Sequence, residues 1–227
     1  MTDTVQRRAA RQGARDILPL TAVLFPLGLV YGVTVSEVAV DDWLGGLAST
    51  LVFAAAAQLA LIDLIADDAA WITAVSTALV INLRFVMYSG ALAPSFSQYP
   101  AGWRLPLAYL MTDQATGVSL LYNETERDPL ARRWYYLGAA IPLFVTWMVT
   151  TWFGILFGAS IPASWELGFA VPLTFICLLI PSIRDRARLV AAIVGAVVSL
   201  VARDAPNSTG LLIGAAAGVA AGMAVDR

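Results

Sequence analysis

Long apolar runs separated by short charged clusters limit this chain more than any other feature. Ile17–Val35, Trp43–Ile65, Trp71–Leu92 and Trp134–Phe157 each hold enough apolar residues to cross a hydrocarbon layer of about 30 Å as a helix. Leu105–Tyr122, Trp165–Ile180, Leu189–Val201 and Thr209–Val225 are shorter runs of the same character. Of 227 residues, 59 % are hydrophobic and 13 % charged, and the mean hydropathy is +0.75, a balance foreign to soluble domains. The pattern predicts an all-α integral membrane protein, a bundle of about eight transmembrane helices. Seven crossings, or a re-entrant pair, fit the same runs. Pro26, Pro142 and Pro172, with glycines nearby, predict that several helices are kinked or broken.

Residue types absent from the chain exclude whole chemistries. There is no histidine, every one of the 14 basic residues is arginine, and Cys177 is the only cysteine, in an apolar run. Ser-His-Asp, Cys-His and Ser-Lys catalysis, thiolate or HExxH metal sites and disulfides are therefore ruled out, and the chain does not read as an enzyme. No cofactor is implied. A formal net charge of −2 offers no basic stripe for nucleic acid.

Residues 1–16 form an Arg-rich segment (Arg7, Arg8, Arg11, Arg15), and 17–225 a single transmembrane domain. The first apolar run is too long for a secretory signal and reads as a retained helix. Arg127, Arg132 and Arg133, then Arg184, Arg186 and Arg188, make two more clusters. Eight crossings with a cytoplasmic N-terminus put all three on the cytoplasmic side of the cell membrane. Pro94, Pro100 and Pro106 predict a loop between the third and fourth runs, and Asn123–Arg133 predicts another. Trp43-Leu-Gly-Gly-Leu-Ala is echoed by Trp165-Glu-Leu-Gly-Phe-Ala, so 17–122 and 134–225 are candidate halves of a tandem repeat. Gly28 and Gly32, and Gly210, Gly214, Gly218 and Gly222, are spaced for close helix packing. Trp43, Trp71, Trp134 and Trp165 begin apolar runs, as interfacial anchors do.

The candidate site is a set of polar residues inside these runs. Arg84 sits in LVINLRFVMYSGALAP (Leu79–Pro94), where an arginine costs roughly 2.5–3.5 kcal/mol and needs a partner. Asp113, central to the fourth run, is the simplest partner. Asn82, Gln114 and, one run earlier, Gln58 fall near the same depth, with Thr112 and Thr116 able to add hydrogen bonds. Two readings stay open: a midplane substrate site, or an ion pair that locks helices in a channel or scaffold subunit.

PLGLVYGV (Pro26–Val33), LVFAAAAQLAL (Leu51–Leu61), INLRFVMYSGALAP (Ile81–Pro94), MTDQATGVS (Met111–Ser119) and, more loosely, GFAVPLTFICLLIPSI (Gly168–Ile183) resemble the AzlC family of branched-chain amino-acid exporters. The resemblance implies export of valine, leucine, isoleucine or a similar small neutral amino acid such as methionine, and the expectation that goes with it is a secondary exporter driven by proton exchange. It also implies a small hydrophobic partner subunit of the AzlD family, besides membrane lipid. Gln58, Asn82, Arg84 and Asp113 fall in the family's elements. Phe85 stands where a histidine commonly follows the arginine, and Gln114 where glutamate is common.

Overall fold

The computed structural model describes residues 2–38, 41–160, 183, 185–203, 205 and 210–225. All regular structure among them is helical: α1 (Thr2–Glu37), α2 (Asp42–Leu51), α3 (Ala55–Ala66), α4 (Trp71–Asn82), α5 (Arg84–Phe96), α6 (Ala101–Tyr109), α7 (Asp113–Thr125), α8 (Pro129–Phe157), a short 3₁₀ turn (Gly158–Ser160), α9 (Arg186–Val201) and α10 (Gly210–Val225). The sixth apolar run, with Cys177, Trp165 and Pro172, lies outside the described residues, as does Arg184.

The chain divides into two compact units, one of residues 1–55 and 82–162, the other of 56–81 and 163–227. The first is built on α1 and α8. Ala10 lies against Gly138, Gly28 against Thr150, Gly32 against Gly154 and Val33 against Gly158, so the two helices run in the same direction in contact along most of their length. A Cβ at Gly32 would collide with Thr151 O and stand 2.8 Å from Gly154 Cα, which explains the small residues at this seam. Parallel α1 and α8 require an odd number of crossings between them, which the three intervening apolar runs satisfy if each crosses. On its outer side α8 presents Ile141, Val145, Val149, Phe153 and Leu156, all about half exposed or more, opposite buried Leu143, Trp147 and Thr151. A stripe that apolar fits a lipid environment. Trp43 and Trp71 are also exposed, whereas Trp134 is partly buried beside Trp103.

In the second unit, α9 and α10 form a helical hairpin. Gly210 faces Ala202, Gly214 faces Ser199 and Gly195, Gly218 faces Ala191 and Gly195, and Gly222 faces Ala191. The four-residue glycine ladder therefore docks on the preceding helix of its own chain.

The structure alters the predicted continuity. The second and fourth apolar runs are not single helices but pairs, α2/α3 and α6/α7, interrupted at Val52–Ala54 and Leu110–Thr112. The third passes from α4 to α5 through Leu83, which keeps helical dihedrals (φ −55°, ψ −25°), so Trp71–Phe96 is one helical stretch, as expected. No proline or glycine lies in those interruptions, while α1 continues through Pro19 and Pro26 and α8 through Pro142. A proline forfeits one ladder bond, which a long packed helix absorbs. The predicted proline loop shrinks to residues 97–100, with Pro94 inside α5 and Pro106 inside α6. Arg104 closes that turn, donating to Tyr99 O (2.8 Å) and Ser97 O (2.8 Å). The second predicted loop shrinks to 126–128, where Asp128 caps α8 by accepting from Leu130 N (3.0 Å). The Arg-rich N-terminal segment, finally, is the first part of α1.

Candidate functional site

One helix interruption helps to build the site in the first unit. Asn82 and Arg84 flank Leu83, which keeps helical dihedrals, so both lie within the Trp71–Phe96 helical stretch. Across from them Thr112 takes an extended backbone (φ −139°, ψ 165°) and its hydroxyl accepts from Ala115 N (3.2 Å), so α7 starts at Asp113. This cap is why the fourth run breaks there. It also gives Thr112 a different task from the hydrogen bonding to the charged pair expected of it.

Arg84 Nη1 donates to Asp113 Oδ2 at 2.6 Å, with the two side chains 25 and 31 % exposed. The helix dipoles treat the partners unequally. Asp113 sits at the positive end of α7, where an anion is favoured, while Arg84 lies in the middle of the Trp71–Phe96 helical stretch and gains nothing from a helix end. Arg84 thus depends on Asp113 more than Asp113 depends on Arg84. The guanidinium also lies 5.4 Å from the centre of the Phe85 ring, which packs edge-on against Tyr88 (6.1 Å).

One ion-pair bond leaves binding capacity unused. Arg84 Nε, Asp113 Oδ1 and Asn82 Oδ1 are buried without a hydrogen-bond partner, as are the hydroxyls of Thr116 and Ser119 on α7. Elsewhere Thr34 and Thr150 bond back to their own helix at Val30 O (3.0 Å) and Thr146 O (2.8 Å); Thr116 and Ser119 do not. Such groups are costly unless something polar reaches them. Tyr88, one turn beyond Arg84, stands within electrostatic range of both charges and within hydrogen-bonding reach of Asp113. Sequence reading passed over it, although the four-residue spacing from Arg84 on a helix would have placed it. Gln114 follows Asp113 and is partly buried; Gln58 is buried on α3 in the second unit. Among the described residues no three His, Cys, Asp or Glu side chains gather to hold a metal.

Because Thr112 sets the start of α7, T112V should cost about 1 kcal/mol and let Asp113 drift from Arg84, while T112S should restore both. Thermal unfolding in detergent, with uptake or efflux read beside it, checks this; a T112V protein as stable as the parent would remove the cap from the account.

A family model, described as the AzlC protein, matches residues 19–161, from α1 to just past the 3₁₀ turn. The chain belongs to the AzlC family. The match contains every site residue named above and stops before the α9/α10 hairpin. An uncharacterized membrane protein of Archaeoglobus fulgidus is 28 % identical over 196 residues, 84 % of this chain and 83 % of its own. The inner membrane protein YgaZ of Escherichia coli is 24 % identical over 200 residues, 82 % of this chain and 78 % of its own. No solved structure matches. As an AzlC-family chain with long apolar helices, the molecule is a membrane protein with a transport-related role rather than one of an enzyme family.

Proposed function

We propose that this AzlC-family protein is a secondary transporter that exports branched-chain or similar small neutral amino acids across the cytoplasmic membrane, coupled to protons, its N-terminus in the cytoplasm and a small hydrophobic AzlD-family subunit beside it. The observation that carries the reading is the Arg84–Asp113 pair, its acid at the start of α7, with buried capacity to spare. A zwitterion has the complementary charges: its carboxylate replaces Asp113 on Arg84, and its ammonium replaces Arg84 on Asp113. Asn82 Oδ1 and the Thr116 hydroxyl supply further partners. Binding thus exchanges one ion pair for two, while neutralising both buried charges throughout. Asp113 is the remaining acid among the proposed site residues. Gln114 completes the proposed binding set in the first unit.

Loading cells with a valine- or leucine-containing dipeptide and following efflux tests the function. Cells producing the protein together with its AzlD-type partner should clear the amino acid several times faster than a deletion strain. Equal clearance in both would defeat the assignment.

A further inference from the structure

We propose that the α1 face bearing Arg7, Arg8, Arg11 and Arg15 is a binding site for the phosphate of an anionic phospholipid, with Gln12 as an additional donor. At 1.5 Å per residue the 36 residues of α1 measure about 54 Å, while the apolar part from Ile17 to Val35 measures about 28 Å, close to a hydrocarbon core. The charged extension therefore begins at the core boundary. Arg15 and Arg11 fall roughly 3 and 9 Å beyond Ile17, within or at the edge of a headgroup layer of about 5–8 Å per side, and Arg7 and Arg8 lie one turn further out. Arg7, Arg11 and Arg15 repeat every four residues on one side of the helix, and all four arginines are exposed.

They do not lie on a flat surface. Together with Thr4, Gln12 and a single carboxylate, Asp16, they line a concavity of about 890 Å³. None of the four forms an ion pair among the described residues, and the carboxylates around them are committed elsewhere. Asp16 accepts from the Tyr135 hydroxyl at 2.7 Å. Glu126 accepts from the backbone N–H groups of Arg127 (2.8 Å) and Asp128 (2.9 Å), and Asp128 caps α8. Parallel packing brings the start of α8 to the same end: Ala9 packs with Ala131 and Tyr135, so Arg132 and Arg133 add to the positive potential there. Arg132 is held by Glu126 O and Asn123 O, and Arg133 lies 4.3 Å from the Trp103 ring centre, so neither is free to swing over and supply the ligand contacts itself.

Four guanidiniums against one carboxylate leave the concavity with a net positive charge, and each guanidinium can bond two oxygens of an anion, which suits phosphate. Their depth selects the source. A soluble phosphate ester has no reason to prefer the hydrocarbon boundary, whereas a phospholipid carries its phosphate at that level and its chains lie along the apolar part of α1.

The test is a titration of the detergent-purified full-length protein with short-chain phosphatidylglycerol, phosphatidylcholine or glycerol phosphate, read by thermal unfolding. Phosphatidylglycerol should raise Tm saturably, and much less in about 1 M salt, where the Debye length is about 3 Å; the other two should leave Tm unchanged. R11Q and R15Q should each weaken the phosphatidylglycerol half-saturation by about fivefold, without altering Tm in phosphatidylcholine. Q12R should tighten it, a gain that no folding defect can imitate. An equal response to phosphatidylcholine, an equal response to glycerol phosphate, or half-saturation unmoved by R11Q, R15Q and Q12R would overturn the proposal.

Discussion

The double variant R84D/D113R is expected to insert and accumulate like the parent yet export at background level. The exchange keeps one ion pair between α5 and α7. It places an arginine at the start of α7, where the helix dipole disfavours a cation by about 0.3–1 kcal/mol, a cost well below that of an unpaired charge. The polarity presented to a bound zwitterion is reversed. Single neutralisations should behave differently. R84Q or D113N leaves one charge without its partner, and for a fully buried pair that costs about 3–5 kcal/mol. With side chains 25 and 31 % exposed the cost here is smaller, so reduced abundance accompanied by loss of transport is expected. Membrane abundance measured beside dipeptide-loaded efflux separates the cases. Export retained by the charge-exchanged protein would return the pair to a purely structural role, and with it the reading as a channel or scaffold subunit.

The largest stability effect is expected at the α1/α8 seam. In G32L the new Cβ meets Thr151 O and stands 2.8 Å from both Gly154 Cα and Ile155 N, all backbone atoms that have no rotamer to give. Overpacking of this kind costs about 1–3 kcal/mol, and more where two whole helices must part. G32A should already be destabilised. G90A is the matched control, since nothing lies within 4 Å of its added Cβ, and a helix-interior Gly→Ala change gains about 0.5–1 kcal/mol. Thermal unfolding of the three variants in one detergent ranks them; G32A melting with G90A would show that the seam is looser than described.

Cost was what made the site readable in advance. A charge in an apolar run is expensive, so Arg84 and Asp113 stood out from residue type alone, and depth along the runs added Asn82, Gln114 and Gln58. Tyr88, Thr116 and Ser119 were harder to see, because aromatic and hydroxyl residues are ordinary in transmembrane helices and only their positions relative to Asp113 give them meaning. The helix interruptions were hidden for a related reason. Leu110–Thr112 looks like good helix interior, and the hydrogen bond that ends α6/α7 continuity is a side-chain cap by Thr112 that competes with the backbone ladder.

What the sequence determined on its own was the solvent and therefore the secondary structure. Apolar runs of bilayer length must satisfy their backbone groups internally, and a helix does so within one segment, so the all-α membrane class follows without knowledge of any contact. Which helix meets which was decided only in three dimensions. The glycines of α10 advertised a close neighbour and those of α1 another, but a lone Gly-x-x-x-Gly face fits any helix with small residues. Backbone geometry assigned α9 to the first and a parallel α8 to the second. The same holds for Arg84 and Asp113: their charges demanded partners, and the break at Leu110–Thr112 put the start of α7 close enough to Arg84 for a 2.6 Å bond. Transfer energies are local and can be read residue by residue, whereas packing and pairing energies exist only between segments that folding has brought together.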